Sequence, residues 1–362
     1  MLAKLARGDI GDLFLARSQG AGGFEKLVVI KRIHPEYTRD PEIAQLFLEE
    51  ARTAAKIEHP NVRIVYEIGR SEEHYYIALE YLEGIPLVEV LLGRRRQRRL
   101  ADSRLFVALL AQACQGLHAA HSLPGGGMVH GDINPRSIFV TATGTTKILD
   151  FDIVEMRGAL AQRHGFVRRT DAYLSPEEIE TDSCDQRSDV FSMGVVSWEC
   201  LTGRRLFKQK DRALTRKAIQ KGQIPTVKSL RPEISDELNA TVMRALSRDP
   251  TLRFQTASDF GTALGRAALA EGPPLTPLNI AALIEEAFAS TLVKQKEFVR
   301  AARGGLAAPL TAQHDLSAHD LASTSRQDKT RNDPTVQEAT TRVASEGDWV
   351  SDNAATRVVG YG

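Results

Sequence analysis

Apolar and polar positions divide the chain into a strand-rich first part and a helical second part. Residues 12–17 and 26–33 are apolar runs that suit strands, and the glycines between them indicate a hairpin loop. Residues 41–57 place apolar side chains at helical spacing behind Pro41, which suits a first helical turn. Residues 75–82 return to a strand pattern. The pattern predicts a small β-rich unit that contains one helix.

Further along the chain the pattern is mainly helical. Residues 103–123 have one apolar stripe, and residues 190–201 are almost wholly apolar, as in a buried central helix. A short β-like segment at residues 137–152 lies between them. Two more helices are predicted at residues 235–246 and 257–270. Strands followed by helices indicate an α+β fold with two lobes and a cleft between them.

The last part of the chain combines two patterns. Residues 278–302 predict an amphipathic helix that packs on the larger lobe or binds a partner. The chain then becomes polar, and such a composition cannot bury enough apolar surface to fold. The sequence thus predicts four segments: a small lobe at 1–83, a large lobe at 84–270, a linker with a helix at 271–303, and a disordered tail at 304–362.

Composition excludes several classes of protein. The 362 residues carry 47 Lys and Arg against 46 Asp and Glu, so no bulk charge attracts nucleic acid or a membrane surface. Three cysteines are too few for a disulfide framework and suit a reducing compartment. The first residues lack a signal-peptide pattern, and the apolar runs are too short to cross a bilayer. We expect a cytoplasmic protein with neither nucleic acid nor a membrane as its partner.

Two further features suggest partners, and each has a simpler interpretation. Residues 94–99 hold five arginines, but no aromatic residue interrupts them, which favours a solvated loop over a nucleic-acid site. Thr340 and Thr356 each precede a valine by three residues, a spacing that would suit a partner that reads phosphothreonine. A plain disordered tail is the favoured interpretation of this region.

Four charged residues occupy places where a cleft could hold them. Lys31 follows Val-Val-Ile at the end of a predicted strand, and Glu50 lies on the helix that follows. Asp132 belongs to His-Gly-Asp-Ile-Asn-Pro, and Asp150 to Lys-Ile-Leu-Asp-Phe-Asp. A Ser-Pro-Glu segment and an Asp-Val-Phe-Ser-Met-Gly segment come later. In this order the motifs resemble the eukaryotic-type protein kinase family in its bacterial Ser/Thr form, over residues 5–269.

The resemblance implies transfer of a phosphate from ATP, with Mg²⁺ or Mn²⁺, to a protein substrate. It implies that Lys31 holds the α and β phosphates and pairs with Glu50, and that Asp132 orients the substrate hydroxyl. Thr170 matches the threonine that favours Ser/Thr substrates. The metal would be bound by Asp150, with Ser137 at the family's second ligand position.

The resemblance also implies a nucleotide pocket. Gly8 and Gly11 would let the first hairpin close over the phosphates. Leu79 would be the gatekeeper, and the Glu80 carbonyl and the Leu82 amide would meet the adenine edge. The remaining implied contacts to the nucleotide are Leu13, Val29, Lys31 and Phe139. Three structural roles follow as well: His130 as a packed core residue, Asp189 as a cap of the catalytic-loop backbone, and an ion pair between Glu177 and Arg253.

Several positions depart from the family pattern. Ser137 replaces a metal-binding Asn, Asp152 replaces the Gly of Asp-Phe-Gly, and Asn134 replaces the catalytic-loop Lys. Gly131 replaces an Arg that grips a phosphorylated activation loop, and residues 153–169 contain no Ser, Thr or Tyr. We predict that phosphorylation of this stretch does not switch the protein.

These departures leave two functions open. One is a Ser/Thr protein kinase with impaired or metal-selective activity, since Lys31, Glu50, Asp132, Asp150 and Thr170 are all retained. The other is an inactive pseudokinase that serves as a nucleotide-binding scaffold or an allosteric regulator. A small-molecule kinase of the same fold is disfavoured, because the Ser-Pro-Glu segment and Thr170 are typical of kinases that dock peptides.

Overall fold

The computed structural model describes residues 1–8, 10–71, 74–94, 102–151, 156, 159–160, 163 and 171–305. Asp152, Thr170, most of the arginine run and the chain beyond residue 305 lie outside this part, and so do the predictions made for them. In the described part, no helix combines the length and the apolarity that a membrane crossing requires.

The small lobe is a five-stranded antiparallel sheet with strand order β1-β2-β3-β5-β4. Its strands are β1 (Ala3–Arg7), β2 (Gly11–Gln19), β3 (Glu25–Ile33), β4 (Val65–Ser71) and β5 (His74–Glu80). Between β3 and β4 come helix α1 (Pro35–Thr38) and helix α2 (Pro41–Ala54).

Helix α2 forms where its sequence predicts it. The Asp40 side chain caps its first turn by accepting a hydrogen bond from the Glu42 N–H, and Pro41 occupies that turn. Its apolar residues recur at helical spacing, so Ile43, Phe47 and other side chains of one face are buried against the sheet. Glu50 lies on this buried face and is only 6% exposed.

The large lobe is helical, as predicted, and also contains a small three-stranded sheet. The sheet consists of β6 (Gly84–Pro86), β7 (Ile138–Thr141) and β8 (Thr146–Ile148). The helices are α3 (Leu87–Gly93), α4 (Ser103–His121), α5 (Pro176–Thr181), α6 (Gln186–Thr202), α7 (Arg212–Lys221), α8 (Val227–Leu230), α9 (Asp236–Ala245) and α10 (Ala257–Ala267). Every residue of α6 from 188 to 202 is buried, as its nearly continuous apolar sequence predicts.

The predicted ion pair between Glu177 and Arg253 is formed. Two guanidinium nitrogens of Arg253 donate to the two carboxylate oxygens of Glu177, both at 2.7 Å. Burial alone would raise the pKa of the Glu177 carboxyl, but the hydrogen bonds from Arg253 outweigh it, so this pKa lies below its ordinary value. Arg253 is fully buried and also donates to the carbonyls of Arg187, Ser247 and Arg248.

The last helix, α11 (Pro277–Arg303), covers the amphipathic stretch predicted at 278–302. The Thr276 side chain caps it in a capping box with Asn279. Its first half packs on the large lobe through Ile280 and Ile284, as one of the two sequence interpretations states. Its last turns contact the small lobe, which the sequence analysis did not predict.

Candidate active site

Lys31 and Asp150 come together between the two lobes. Lys31 lies in β3 with its side chain 8% exposed, and its Nζ is 3.5 Å from Oδ1 of Asp150, just after β8. The Asp150 backbone has a φ of 62°, and its side chain is 42% exposed. The adjacent Phe151 is buried, with its ring edge against His130 at a centroid distance of 4.7 Å. A carboxylate is therefore presented to the cleft beside a lysine that β3 holds in place.

Glu50 contacts the segment that follows Asp150. Its Oε2 accepts a hydrogen bond from the backbone N–H of Met156 at 3.3 Å. This bond uses one of the two carboxylate oxygens, so the pairing of Glu50 with Lys31 stays a prediction.

The described residues of this segment pack on α2. Met156 and Leu160 are fully buried in the apolar cluster that also contains Ile43 and Phe47. Arg163 forms ion pairs with Asp40, at 3.1 Å, and with Glu42, at the start of α2. These contacts fix the position of α2, and so of Glu50, relative to the segment that follows Asp150.

The catalytic loop is held by Asp189, as predicted. Oδ1 of Asp189 accepts a hydrogen bond from the Gly131 N–H at 2.8 Å, and Oδ2 accepts one from the His130 N–H at 2.7 Å. The His130 ring contacts the Leu149 carbonyl at 2.7 Å, which ties the loop of Asp132 to the chain just before Asp150. His130 is 1% exposed, in agreement with its predicted structural role.

The sequence analysis missed His121, whose Nε2 lies 2.7 Å from Oδ2 of Asp189. Burial alone would raise the pKa of Asp189, but the hydrogen bonds from His121 and from the His130 backbone keep it below the ordinary value. His121 ends α4, and no local motif distinguishes it from other helix-end histidines.

Ser137 and Asn134 both bond to the loop that carries them. The Ser137 hydroxyl accepts a hydrogen bond from the Asn134 N–H at 3.1 Å and lies 3.0 Å from the Asn134 carbonyl, to which it can donate. The Asn134 amide donates to the Asp132 carbonyl at 2.8 Å and accepts from the Arg136 N–H at 2.9 Å. Both residues are 5% exposed. They stabilise the loop, and the bond from Asn134 leaves the Ser137 hydroxyl one lone pair that could meet a metal ion.

The turn between β1 and β2 contains the two predicted glycines. The Gly8 N–H donates to the Gly11 carbonyl at 2.9 Å. A Cβ at Gly11 would lie 2.4 Å from the Arg32 carbonyl, so only glycine fits against β3 at this position. Leu13 and Val29 follow on β2 and β3, and Val29 is 4% exposed and pairs with Leu79 of β5.

The connection between the lobes runs from Glu80 to Gly84 and is called the hinge. The Glu80 carbonyl, which the resemblance gives to adenine, accepts a hydrogen bond from Arg63 Nε at 3.0 Å. A carbonyl oxygen has two lone pairs, so a second donor can share it. Leu82 is half-buried, and the Phe139 ring lies against Gly84, where a Cβ would be 2.9 Å from it. The Phe139 ring thus lies beside the hinge that carries Glu80 and Leu82, and the contact of these residues with adenine stays a prediction.

A family comparison agrees with this geometry. Residues 1–261 match the model of the protein kinase domain. The chain belongs to the protein kinase family. The kinase domain is 36% identical, over 73% of this chain, to a protein of Myxococcus xanthus named tyrosine-protein kinase MasK. The chain is also 31% identical, over 85% of its length, to a serine/threonine-protein kinase of Mycobacterium tuberculosis named PknB.

The matched relatives are longer proteins, and this chain spans 42% and 47% of their respective lengths. Among solved structures, the PknI kinase domain of Mycobacterium tuberculosis resembles the fold with a TM-score of 0.56 and 22% identity. That match covers 74% of this chain and 94% of the other. Proteins of this family use ATP with Mg²⁺ or Mn²⁺ and act on protein substrates.

Proposed function

We propose that this chain is a protein kinase that transfers the γ-phosphate of ATP to serine or threonine of a protein substrate, with impaired or metal-selective activity. The observation that carries the proposal is the pair of Lys31 and Asp150, 3.5 Å apart, beside a catalytic loop fixed by Asp189. Phosphoryl transfer mainly requires that the reactants be positioned and that the charge of the phosphates be neutralised, and such a pair of residues supports both requirements.

The residues present fit one metal ion better than two. Asp150 offers an accessible carboxylate, and Mg²⁺ commonly takes one or two carboxylates together with substrate phosphates. The described residues hold no cluster of three or more His, Cys, Asp or Glu that could form a metal cage. A bound ion would neutralise phosphate charge. Within the chain, Asp150 would hold it, Lys31 would orient the phosphates, and Asp132 would accept the substrate proton.

Two observations support impaired activity. Ser137 is bonded to its own loop at the family's second metal-ligand position. Glu50 accepts a hydrogen bond from the Met156 N–H, and Met156 and Leu160 pack on α2, so the segment after Asp150 lies against the helix that carries Glu50. The same observations favour the alternative, a pseudokinase that binds nucleotide and acts as a scaffold.

We infer from Thr170 that the acceptor residue is Ser or Thr rather than Tyr. The names of the matched relatives do not decide between these acceptors, because one is named a tyrosine kinase and the other a serine/threonine kinase. A cytoplasmic location belongs to the same proposal, because ATP and reduced cysteines suit that compartment. Within the described residues, Cys114, Cys184 and Cys200 form no disulfide.

The test is a titration of the purified chain with ATP and Mg²⁺, and then with ATP and Mn²⁺. Thermal stability and transfer of radiolabelled phosphate to generic protein substrates are followed in the same samples. We expect binding with slow transfer that differs between the two metals. Binding without transfer would support the pseudokinase, and the absence of binding would refute both functions.

Restoring the second metal ligand should increase activity. We expect Ser137→Asn to raise the rate of transfer by about tenfold, since one electrostatic contact in an active site can contribute that much or more. The rate at saturating ATP and metal is the measurement. Ser183→Asn, at an exposed residue, is the matched control. A Ser137→Asn protein that stays folded and is no faster would contradict a metal-ligand role for this position.

A further inference from the structure

Helix α11 contacts both lobes of the kinase domain. Ile280 and Ile284 are fully buried in the core of the large lobe, and Leu292, one of the residues after the kink at Phe288, still belongs to that core. The turn between β7 and β8 fits closely against the helix start, where a Cβ on Gly144 would lie 1.9 Å from the Pro277 carbonyl. The first two-thirds of α11 is thus fixed to the large lobe.

The end of the same helix is fixed to the small lobe. Ala302 is 2% exposed and forms one apolar cluster with Ala3 of β1 and Leu15 of β2. Phe298 and Val299 pack against this cluster from the helix side. Tyr81 of the hinge packs against it as well. A single helix therefore bridges the lobes along the hinge.

Between these two attachments, α11 bonds directly to the hinge. Gln295 Nε2 donates to the Gly84 carbonyl at 2.9 Å, and Gln295 Oε1 accepts from the Gly84 N–H at 3.4 Å. One side-chain amide thus bonds to both backbone polar groups of Gly84. Lys296 adds an ion pair with Glu83 at 3.2 Å. Gly84 itself has little room to move, since a Cβ there would lie 2.2 Å from the Val140 carbonyl.

We propose that α11 is an interlobe brace and that Gln295 is a positioning residue, which fixes the hinge backbone that meets the adenine of ATP. Opening the lobes would require the Ala302 contact to break, while the Gln295–Gly84 pair would keep α11 attached to the hinge. A hinge held in its binding geometry before the nucleotide arrives loses less freedom on binding. The part of this proposal that concerns ATP rests on the proposed function.

Two variants of the full chain break the brace at different places. Gln295→Leu removes both hydrogen bonds to Gly84, and Ala302→Asp puts a carboxylate into the contact with Ala3 and Leu15. We expect each to weaken ATP binding, measured by titration with ATP and Mg²⁺, by about tenfold, which corresponds to about 1.4 kcal/mol. Glu297→Leu, at an exposed residue of the same helix, is the control and should leave the affinity unchanged.

Hydrogen–deuterium exchange of the same proteins without nucleotide provides a readout that does not depend on ATP. We expect both variants to exchange faster at residues 80–86 and in β1 and β2, with the buried helix α6 unchanged. Faster exchange with a wild-type chain that does not bind ATP would support the brace and refute the proposed function. Unchanged exchange in the hinge of folded variants, or ATP affinity equal to that of wild type, would overturn the assignment of Gln295.

Discussion

Asp132→Asn is expected to lower the rate of phosphate transfer by about 10²- to 10⁴-fold, the usual contribution of a positioned proton acceptor. An amide is nearly the same size as a carboxylate but cannot take the proton of the substrate hydroxyl. The loop should keep its shape, because it is held through backbone groups. The Asp132 N–H donates to His130 Nδ1 at 3.1 Å, and its carbonyl accepts from the Asn134 amide at 2.8 Å.

Transfer of labelled phosphate at saturating ATP and metal is the measurement, and ATP affinity should stay unchanged. Asp182→Asn is the matched control, since Asp182 is exposed and asparagine also tolerates its left-handed backbone, with a φ of 51°. If Asp132→Asn transfers phosphate as fast as wild type, the activity does not come from this site.

Arg253→Met is expected to lower the free energy of unfolding by about 3–5 kcal/mol, because it leaves Glu177 charged and partly buried without its cation. The same substitution removes donors from three backbone carbonyls. Thermal or urea unfolding followed by circular dichroism measures the change. Arg266→Met, at an exposed residue of α10, should change stability by no more than about 0.5 kcal/mol.

The double variant Glu177→Gln with Arg253→Met separates the charge effect from lost packing. The double variant should lose less unfolding free energy than the sum of the losses of the two single variants, because neither partner then remains as an unpaired ion. Additive losses would contradict a direct coupling between the two side chains.

The same pair predicts how stability depends on pH. The folded state lowers the pKa of Glu177, so its contribution is complete above the unfolded pKa of about 4.3 and disappears as pH falls through the folded value. The difference in stability between wild type and Arg253→Met should therefore shrink in acid. A difference that stays constant down to low pH would argue that packing, rather than charge, is lost.

Local sequence was sufficient to predict the elements that carry the site. Alternation in β3 places Val29, Lys31 and Ile33 on the same buried side of a strand, so the lysine could be assigned to the interior. Helical spacing in α2 places Glu50 on the face of Phe47 and Ala51. These assignments hold because they depend only on the periods of a strand and of a helix.

The partners of these side chains lie far away in the sequence, so the strand and helix periods cannot predict them. Glu50 bonds to Met156, which lies 106 residues away in the sequence, a contact that the resemblance did not imply. Gln295 reaches Gly84 across 211 residues, and β6, only three residues long, has no pattern of its own. No sequence pattern distinguishes a glutamine that is hydrated on a mostly exposed helix turn from one that bonds to the hinge backbone.

The sequence by itself determined the α+β character, the two lobes, the positions of the charged residues of the cleft and the pair of Glu177 and Arg253. Only the tertiary structure decided that Glu50 bonds to Met156 and that α11 holds both lobes at the hinge. The reason is physical: periodicity and residue chemistry fix which face of an element is buried, whereas the packing of the whole chain decides what that face meets.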